Sequence, residues 1–280
     1  MINSLNNEEC PLFASVFLKN KAVVHKLTDD LWKTCSSRVK AAEKLLESHN
    51  IDKQLNSLSY REKIYEAQEL LLRSANDLEI NNFIPAACSL YIYTSESLEY
   101  NDMNEAAIEC LRKAINIVPK DFIVSSLIYT KLILNLVRIS DYVGALESCE
   151  ILQRIIENSA SEMLNSSLIS SEIYRILLIL LTCPTKLDRN KVMYSVNQKT
   201  SPLDAYLSVM DDNLQLRKPF AILNDDIYLA LGSVVNSYLE NDAEELEKSA
   251  AYIVQYLDKN QTELLRLTLE RFYSPQGKLE

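Results

Sequence analysis

The sequence predicts an all-α protein, a tetratricopeptide-like superhelix (an α-solenoid) of stacked helical hairpins, with roughly eleven to thirteen helices. Three observations predict this fold class. Apolar residues recur every three or four positions along almost the whole chain, and we find no convincing alternating strand. Short polar segments rich in Asn, Asp, Ser and Pro divide this pattern into helix-length pieces. Only three glycines occur in 280 residues, too far apart for the glycine-rich loops of Rossmann or P-loop nucleotide-binding folds.

The helices of the first half are placed by the breaks between them. Two helices fit before residue 50, with a break near Leu27-Thr28. An amphipathic helix is predicted over Tyr60–Ile80, because its apolar side chains fall on one face and its charged side chains on the other. Pro85 lies in the first turn of the next helix, where a missing N–H costs nothing, and that helix runs to about Tyr100. Further helices are predicted over Met103–Val118, Asp121–Ile139 and Tyr142–Asn158.

The second half continues the pattern around one irregular segment. A strongly apolar helix over Ser166–Thr182 is closed by Cys183-Pro184. Residues 184–202 are polar and flanked by proline, so we predict an irregular connection there, with short helices over 187–196 and 202–210. The last helices are predicted over Asn224–Glu240, Asp242–Leu257 and Gln261–Tyr273. We therefore expect one helical-repeat domain over 1–280 that ends in a C-terminal tail, 274–280.

An internal repeat of the tetratricopeptide type underlies these helices. The second helix of that repeat has a small, a large and a small residue, followed by a proline at the turn. Small residues let two helices approach closely, and the proline ends the unit. The first copy comprises Tyr91 and Leu98, then Ala107, Leu111, Ala114 and Pro119; the looser second copy comprises Tyr129 and Leu136, then Ala145, Cys149 and Leu152. Stacked helix pairs of this kind present extended protein-binding surfaces.

The chain is acidic, with a formal net charge of −10 and a pI near 4.9. Phosphate backbones and anionic lipids repel such a chain, so we expect neither nucleic acid nor a membrane surface as a partner. The charge is uneven, because residues 225–280 contain eleven acids and five bases, whereas residues 1–60 contain seven acids and eight bases. Such a field can steer a basic protein partner; a solvated, solubilising surface is the alternative interpretation.

Few residues indicate enzymatic chemistry. The two histidines, His25 and His49, lie in no zinc-binding motif, and a Cys–His nucleophile pair has only the presence of both residue types to support it. Adjacent acids on a helix diverge by about 100°, so N-capping explains them better than catalysis. The adjacent acid pairs are Asp29-Asp30, Asp211-Asp212 and Asp225-Asp226. We expect no enzyme activity, no catalytic residue, no metal and no cofactor.

The cysteines indicate the compartment. None of the six has the C-x-x-C spacing, and Glu8 and Glu9 stand where a signal peptide has positive charge. We therefore expect a reducing, cytoplasmic compartment, in which the cysteines are free, small core side chains. The longest fully apolar run, Ile176 to Leu181, is far too short to span a bilayer.

Three stretches of the chain carry a resemblance to a known family. The first is Asp141–Leu146 with Gln153-Arg154 downstream, and the second is Ser171–Ile176 with the leucine-rich run that leads to Pro184. The third and most specific comprises Leu257, Gln261, Leu264, Leu265, Leu267 and Leu269, then Ser274-Pro275-Gln276-Gly277. In order and spacing, these stretches resemble the family of the 40-kDa huntingtin-associated protein, the factor VIII intron 22 protein family.

The chain departs from the family pattern at two places. It begins where the family pattern already has a preceding helix. It also lacks the long proline-rich loop that the family pattern places between the helices ending near Asn158 and starting near Ser166.

The resemblance implies a function. It implies a non-enzymatic subunit bound tightly to huntingtin, a giant scaffold of HEAT repeats, between the two large repeat arrays of huntingtin and its bridge. It also implies recruitment of huntingtin to early endosomes through a Rab small GTPase. A cytoplasmic location, with association to early endosomes and presence in the nucleus, follows from the same resemblance.

We expect the acidic C-terminal third to face a basic surface of the partner. The residues expected to make electrostatic contacts are Asp225, Asp226, Asp242, Glu244, Glu245 and Glu247. The segment 273–277 cannot continue the helix past its proline and is expected to dock through Tyr273, Ser274, Pro275 and Gly277. The alternative is an adaptor of the soluble NSF attachment protein type, which would carry a membrane-touching apolar segment near its N-terminus; Pro11–Leu18 is the candidate.

Overall fold

The computed structural model of the chain describes residues 11–55, 57, 61–118, 121–159, 162–182, 203, 206 and 223–274. Every regular element within these residues is helical, which confirms the predicted all-α fold. The chain divides into two compact units, Met1–Val124 and Ser125–Glu280, called unit 1 and unit 2 below. The single repeat domain stays a prediction. The connection predicted at 184–202, its short helices and the tail beyond Ser274 lie outside the described residues, apart from Leu203 and Tyr206.

Unit 1 consists of helices that each pack against the next one along the chain. Where a described short turn joins two consecutive helices, the pair forms an antiparallel hairpin. The helices are α1 (Pro11–Leu27), α2 (Leu31–Gln54), α3 (Glu62–Ile80), α4 (Ile84–Tyr100) and α5 (Asn104–Ile117). A further helix, α6 (Phe122–Arg138), begins in unit 1 and continues in unit 2.

Unit 2 is built around one largely buried helix. Its elements are α7 (Tyr142–Ser159), α8 (Asn165–Thr182), α9 (Asp225–Glu240), α10 (Ala243–Ile253) and α11 (Lys259–Tyr273), with short 3-10 helices at Glu162–Leu164 and Val254–Tyr256. Helix α8 packs against α7, α9 and α11, and every residue from Ser171 to Leu181 is buried. This explains why its sequence is apolar on all sides, as in a helix enclosed by others.

The predicted helix boundaries agree with the structure to within two residues, except at the ends of α2 and α10. The first two helices are predicted to end before residue 50, but α2 continues to Gln54. Helix α10 is predicted to reach Leu257 but ends at Ile253, because its last turn tightens into a 3-10 helix and Leu257 is extended. Helix α11 begins at Lys259 because Asp258 and Gln261 form a capping box. The Gln261 N–H donates to Asp258 Oδ1 at 2.8 Å, and the Asp258 N–H donates to Gln261 Oε1 at 3.0 Å.

The same turn recurs at five hairpins. In each, one non-glycine residue adopts the left-handed conformation, with φ between 54° and 64°. The N–H of the following residue donates to the carbonyl oxygen five residues before it, as in a Schellman turn. The left-handed residues are Asp29, Asn82, Asp102, Ser140 and Asn241. Asn, Asp and Ser therefore take the place that glycine usually has, which explains how a chain with three glycines forms so many hairpins.

In three of these turns the next residue is an aspartate that caps the following helix. The carboxylates of Asp30, Asp141 and Asp242 accept hydrogen bonds from the backbone N–H three residues further on. For the pair Asp29-Asp30 the predicted N-capping is confirmed, with Asp30 as the cap and Asp29 as the left-handed residue. For Asp225-Asp226 it is wrong, because Asn224 is the cap and the two aspartates lie in the first turn. Asp211-Asp212 lies outside the described residues.

The positions of the predicted tetratricopeptide-type repeat lie in the core. In the first copy, Tyr91 and Leu98 of α4 and Ala107, Leu111 and Ala114 of α5 are buried, and these two helices pack together. Leu98 and Ala107 belong to one apolar cluster with Ile64 of α3. In the second copy, Leu136, Ala145, Cys149 and Leu152 are buried and Tyr129 is half-buried. The proline of the first copy, Pro119, lies outside the described residues.

Candidate protein-binding surfaces

Helix α1 is apolar on two opposite faces. One face is buried and includes Ala14, Leu18 and Ala22, and α1 packs against α2. The opposite face is exposed and consists of Leu12, Phe13, Val16, Phe17, Val23, Val24 and Leu27, here called the α1 face. On a helix these seven positions span about 140° of arc, interrupted by Asn20. Single exposed apolar side chains are common, whereas contiguous exposed apolar stripes are characteristic of interaction surfaces.

Basic side chains flank the α1 face. Helix α1 has no acidic residue; Lys19 and Lys26 fall along one edge of the face, and Lys21 and His25 along the other. Lys19 is paired with Glu66 of α3 at 2.5 Å, whereas Lys21 and Lys26 are exposed. Residues 11–54 contain eight Lys and Arg against five Asp and Glu, a net charge of +3. The α1 face therefore suits an apolar partner surface with acidic edges.

Negative charge dominates α9–α11. Residues 223–274 contain ten Asp and Glu against four Lys and Arg, a net charge of −6. Asp225 and Asp226 are exposed in the first turn of α9, and the side chain of Asn224 accepts a hydrogen bond from the Asp226 N–H at 2.9 Å. Acidic side chains at a helix N-terminus are stabilised by the helix dipole. These two aspartates thus have a structural task and still face solvent.

The next predicted acids lie at the start of α10. Asp242 is the N-cap, and its carboxylate accepts from the Glu245 N–H at 3.1 Å. Glu244 and Glu245 are exposed in the first turn, where Lys248 is 2.7 Å from Glu244 and 4.0 Å from Glu245. An exposed ion pair of this kind contributes at most about 1 kcal/mol to folding, so it can be exchanged for a partner's base at little cost.

Glu247 and Tyr273, predicted separately as contact residues, touch each other. The Tyr273 hydroxyl donates to Glu247 Oε1 at 3.0 Å and lies 3.3 Å from the carbonyl oxygen of Ala243, which ties the end of α11 to α10. Ser274 is extended, and its hydroxyl donates to the Glu270 carbonyl oxygen at 2.8 Å. The other two predicted docking residues, Pro275 and Gly277, lie outside the described residues.

A buried polar cluster occupies the core of unit 2. The Glu172 side chain is fully buried and accepts hydrogen bonds from Gln153 and Arg175, both at 2.8 Å, and from the Tyr206 hydroxyl at 2.9 Å. The Tyr206 ring lies 5.2 Å from that of Tyr228, centroid to centroid. Burial, followed by the Glu172 carboxylate, raises the pKa of Tyr206. The hydroxyl therefore stays protonated and serves as a donor that holds the carboxylate in the core.

The described cysteines are inert core side chains. Cys35, Cys88, Cys110 and Cys149 are free and buried, as the sequence predicts. Burial raises the pKa of the Cys110 thiol to about 11, so little nucleophilic thiolate forms at neutral pH. Among the residues with described positions, no three His, Cys, Asp or Glu side chains are grouped to hold a metal ion. In the same part of the chain, no helix has the length and apolar character needed to cross a bilayer.

The fold and these surfaces define an all-α protein of packed helical hairpins with an uncovered apolar helix face. In comparisons with known proteins, no family model matches the chain and no curated protein is significantly similar to it. A particular partner therefore belongs to the proposal below.

The acidic C-terminal third and the apolar segment Pro11–Leu18 are recognisable in the sequence, but the full α1 face is not. A helix that is apolar all round is either enclosed by other helices or carries an interaction surface, and its sequence does not distinguish the two. Helix α8 is enclosed by other helices, whereas α1 leaves apolar side chains exposed. Two features of the sequence Pro11–Leu27 could have revealed the α1 face. Apolar residues fall on two opposite sides of the helix, and the helix contains no acidic residue.

Proposed function

We propose that this chain is a non-enzymatic binding subunit that forms a tight complex with huntingtin, stabilises it and links it to early endosomes and vesicle traffic through a Rab small GTPase. The α1 face is the observation that carries the binding part, because covering a contiguous apolar stripe with a partner is favourable. The identity of the partner rests on the resemblance of Asp141–Leu146, Ser171–Ile176 and the C-terminal stretch to the huntingtin-associated family.

The α1 face alone is too small to account for a tight complex. Fully burying an apolar side chain contributes about 1.5–3 kcal/mol, and the seven side chains of the face are already partly covered. Their complete burial would contribute roughly 5–10 kcal/mol, which the loss of translational and rotational freedom on association largely offsets. A tight complex therefore requires a second contact surface.

The acidic surface of α9–α11 is the candidate for that second contact. Its exposed carboxylates would form the rim of an interface with a basic surface of the scaffold. Rim charges mainly accelerate association, and salt screens them, whereas buried apolar contacts slow dissociation. The complex should therefore resist moderate salt while its formation slows.

The test is a binding experiment with purified huntingtin. Stopped-flow association is measured over a range of salt concentrations for the wild type and for a variant with all six predicted acids changed to Asn or Gln. We expect the variant to associate more slowly at low salt and to have a flatter salt dependence, with little change in dissociation. An unchanged salt dependence rules out the electrostatic contact, and failure of the wild type to form a stoichiometric complex rules out huntingtin as the partner.

A soluble NSF attachment protein-like adaptor for membrane-fusion complexes is the second candidate, and one observation favours it. Within the predicted membrane-touching segment Pro11–Leu18, the side chains of Leu12, Phe13, Val16 and Phe17 are exposed on a helix without acids. Such an adaptor would sediment with lipid vesicles and stimulate ATP-dependent disassembly of a fusion bundle. Activity in that disassembly assay, together with no binding to huntingtin, would replace the first proposal.

A further inference from the structure

A groove between α2 and α4 in unit 1 is separate from the α1 face and from the acidic surface of unit 2. Its volume is about 540 Å³, and its lining includes Glu43 and Glu47 of α2, Tyr93, Glu96 and Tyr100 of α4, and Asn101 just after α4. Both walls are helices, and Leu45 and Tyr93 belong to one apolar cluster with Leu71 of α3. The groove is therefore formed by packed elements and not by a loop.

All the charged side chains that line the groove are negative. Three glutamates line it, and none of its lining residues is lysine or arginine. Glu47 is paired with Lys44, which lies outside the lining, at 2.6 Å. Burial raises the pKa of Tyr93, and the negative charges of Glu43 and Glu96, which line the same groove, add to this rise.

One of the lining residues, Asn101, carries a buried acceptor. Asn101 is only 9% exposed, and its Nδ2 donates to the Ser97 carbonyl oxygen at 2.7 Å. Its Oδ1 is buried and has no hydrogen-bond partner among the residues with described positions. A buried acceptor without a donor is unfavourable, so a ligand whose donor reaches this oxygen is stabilised by the new hydrogen bond.

Aromatic rings complete the lining. Tyr93 is half-buried in the wall, and Tyr100 is largely exposed at the rim. Planar cations stack on such rings, and arginine does so more often than lysine. Carboxylates, an amide oxygen and phenol rings in one groove are the groups that a guanidinium prefers as neighbours.

We propose that the α2–α4 groove binds the guanidinium group of an arginine in a basic peptide segment. The glutamates supply paired acceptors, Asn101 supplies the buried acceptor, and the tyrosines supply the stacking surface. A free phosphate or an acidic peptide is repelled by the same carboxylates. The proposal does not depend on huntingtin being the partner, since the α1 face and the acidic surface of unit 2 do not contribute to this groove.

The test uses the full chain and two fluorescein-labelled nonapeptides. One alternates arginine with glycine; the other has citrulline, the uncharged isostere, in place of every arginine. Binding is followed by fluorescence anisotropy at about 50 mM salt, where charge pairs are weakly screened. The variants are Glu43→Gln and Glu96→Gln, and the matched control is Glu109→Gln on α5, an exposed glutamate outside the groove that changes the net charge equally.

We expect saturable binding of the arginine peptide and no binding of the citrulline peptide. Because a hydrogen bond to a charged group contributes about 1.5–3 kcal/mol, Glu43→Gln and Glu96→Gln should each weaken binding about ten-fold, and Glu109→Gln less than about two-fold. Equal weakening by all three variants would show attraction to the whole acidic chain and overturn the proposal. Binding of the citrulline peptide, or no saturable binding of the arginine peptide, would overturn it as well. All three glutamates are exposed, so the variants should keep the wild-type circular dichroism spectrum.

Discussion

The Tyr206 hydroxyl donates a hydrogen bond, 2.9 Å long, to the fully buried carboxylate of Glu172. Gln153 and Arg175 donate to the same carboxylate, so one buried charge is satisfied by three donors. Buried polar groups whose hydrogen bonds are all satisfied favour one specific packing of the core. When one group of the cluster is removed, its partners stay buried without a hydrogen-bond partner, which destabilises the fold.

We therefore expect Glu172→Leu to destabilise the protein by about 3–5 kcal/mol, because Arg175 would keep a buried charge without its counterion. Tyr206→Phe removes one donor and should cost about 1–3 kcal/mol. Urea unfolding followed by circular dichroism measures both values. The exposed Tyr252→Phe serves as the control and should be nearly neutral. A loss below about 1 kcal/mol for Glu172→Leu would show that the cluster does not brace the core.

Because the pKa of the Tyr91 hydroxyl is raised in the folded protein, we expect the protein to lose stability at alkaline pH. Burial, followed by its hydrogen bond to Glu79 at 3.0 Å, raises the pKa of Tyr91 from 10.0 to about 12. Between these two values the unfolded chain loses the proton while the folded chain keeps it, so stability falls as the pH rises from 10 to 12. The total loss from this group is about 2–3 kcal/mol.

Tyr91→Phe removes this contribution. Urea unfolding of the wild type and of Tyr91→Phe is compared at about pH 9 and about pH 11.5. The wild type should lose more stability than the variant over this interval, and contributions from the other tyrosines cancel in the comparison. The same alkaline loss in both proteins would contradict the raised pKa.

Substitutions at Asn82 test the left-handed conformation of the recurring hairpin turn. Its φ of 63° lies in the left-handed region, where a Cβ is unfavourable and asparagine is tolerated better than most residues. Asn82→Ala should destabilise the protein by about 1 kcal/mol, whereas Asn82→Gly should not destabilise it. At the exposed position Glu69, inside α3, the order should reverse, with alanine more stable than glycine by about 1 kcal/mol. The same order of alanine and glycine at both positions would contradict the turn geometry.

The buried cysteines should be protected in the folded protein. Native alkylation with iodoacetamide, followed by peptide mapping, should leave Cys35, Cys88, Cys110 and Cys149 unmodified, because burial both blocks access and raises their thiol pKa values. The same four should react fully in urea. Rapid native labelling of any of them would show that its helix pair opens.

Local signals in the sequence predict most of the fold. Pro85 marks the start of α4, Asn101-Asp102 marks its end, and Asp242 marks the start of α10, because capping and turn preferences act within a few residues. The predicted end of α10 is wrong because the last turn becomes a 3-10 helix. A 3-10 helix differs from an α-helix by one residue in its hydrogen-bond spacing, and no residue type specifies that difference.

The surfaces are harder to predict because they depend on contacts between distant residues. Glu43 and Glu96 line one groove only because α3 brings α2 and α4 together. The buried pair Glu172 and Arg175 has a local signal, two charges within an otherwise apolar helix, but its other donors come from α7 and from Tyr206. The acidic residues of α9–α11 are identifiable from the sequence alone, whereas the α1 face requires knowledge of which side of α1 is covered.

The most direct test of the account is affinity purification of the tagged chain from cytosol at endogenous levels, with huntingtin measured by quantitative mass spectrometry. Three forms are compared: the wild type, the α1-face variant with Phe13→Glu and Val24→Glu, and a control with Tyr65→Glu and Ile80→Glu on α3, all four sites being more than half exposed. The account predicts stoichiometric huntingtin with the wild type and the control, and its loss with the α1-face variant. Equal recovery with the α1-face variant, or no huntingtin with the wild type, would contradict it.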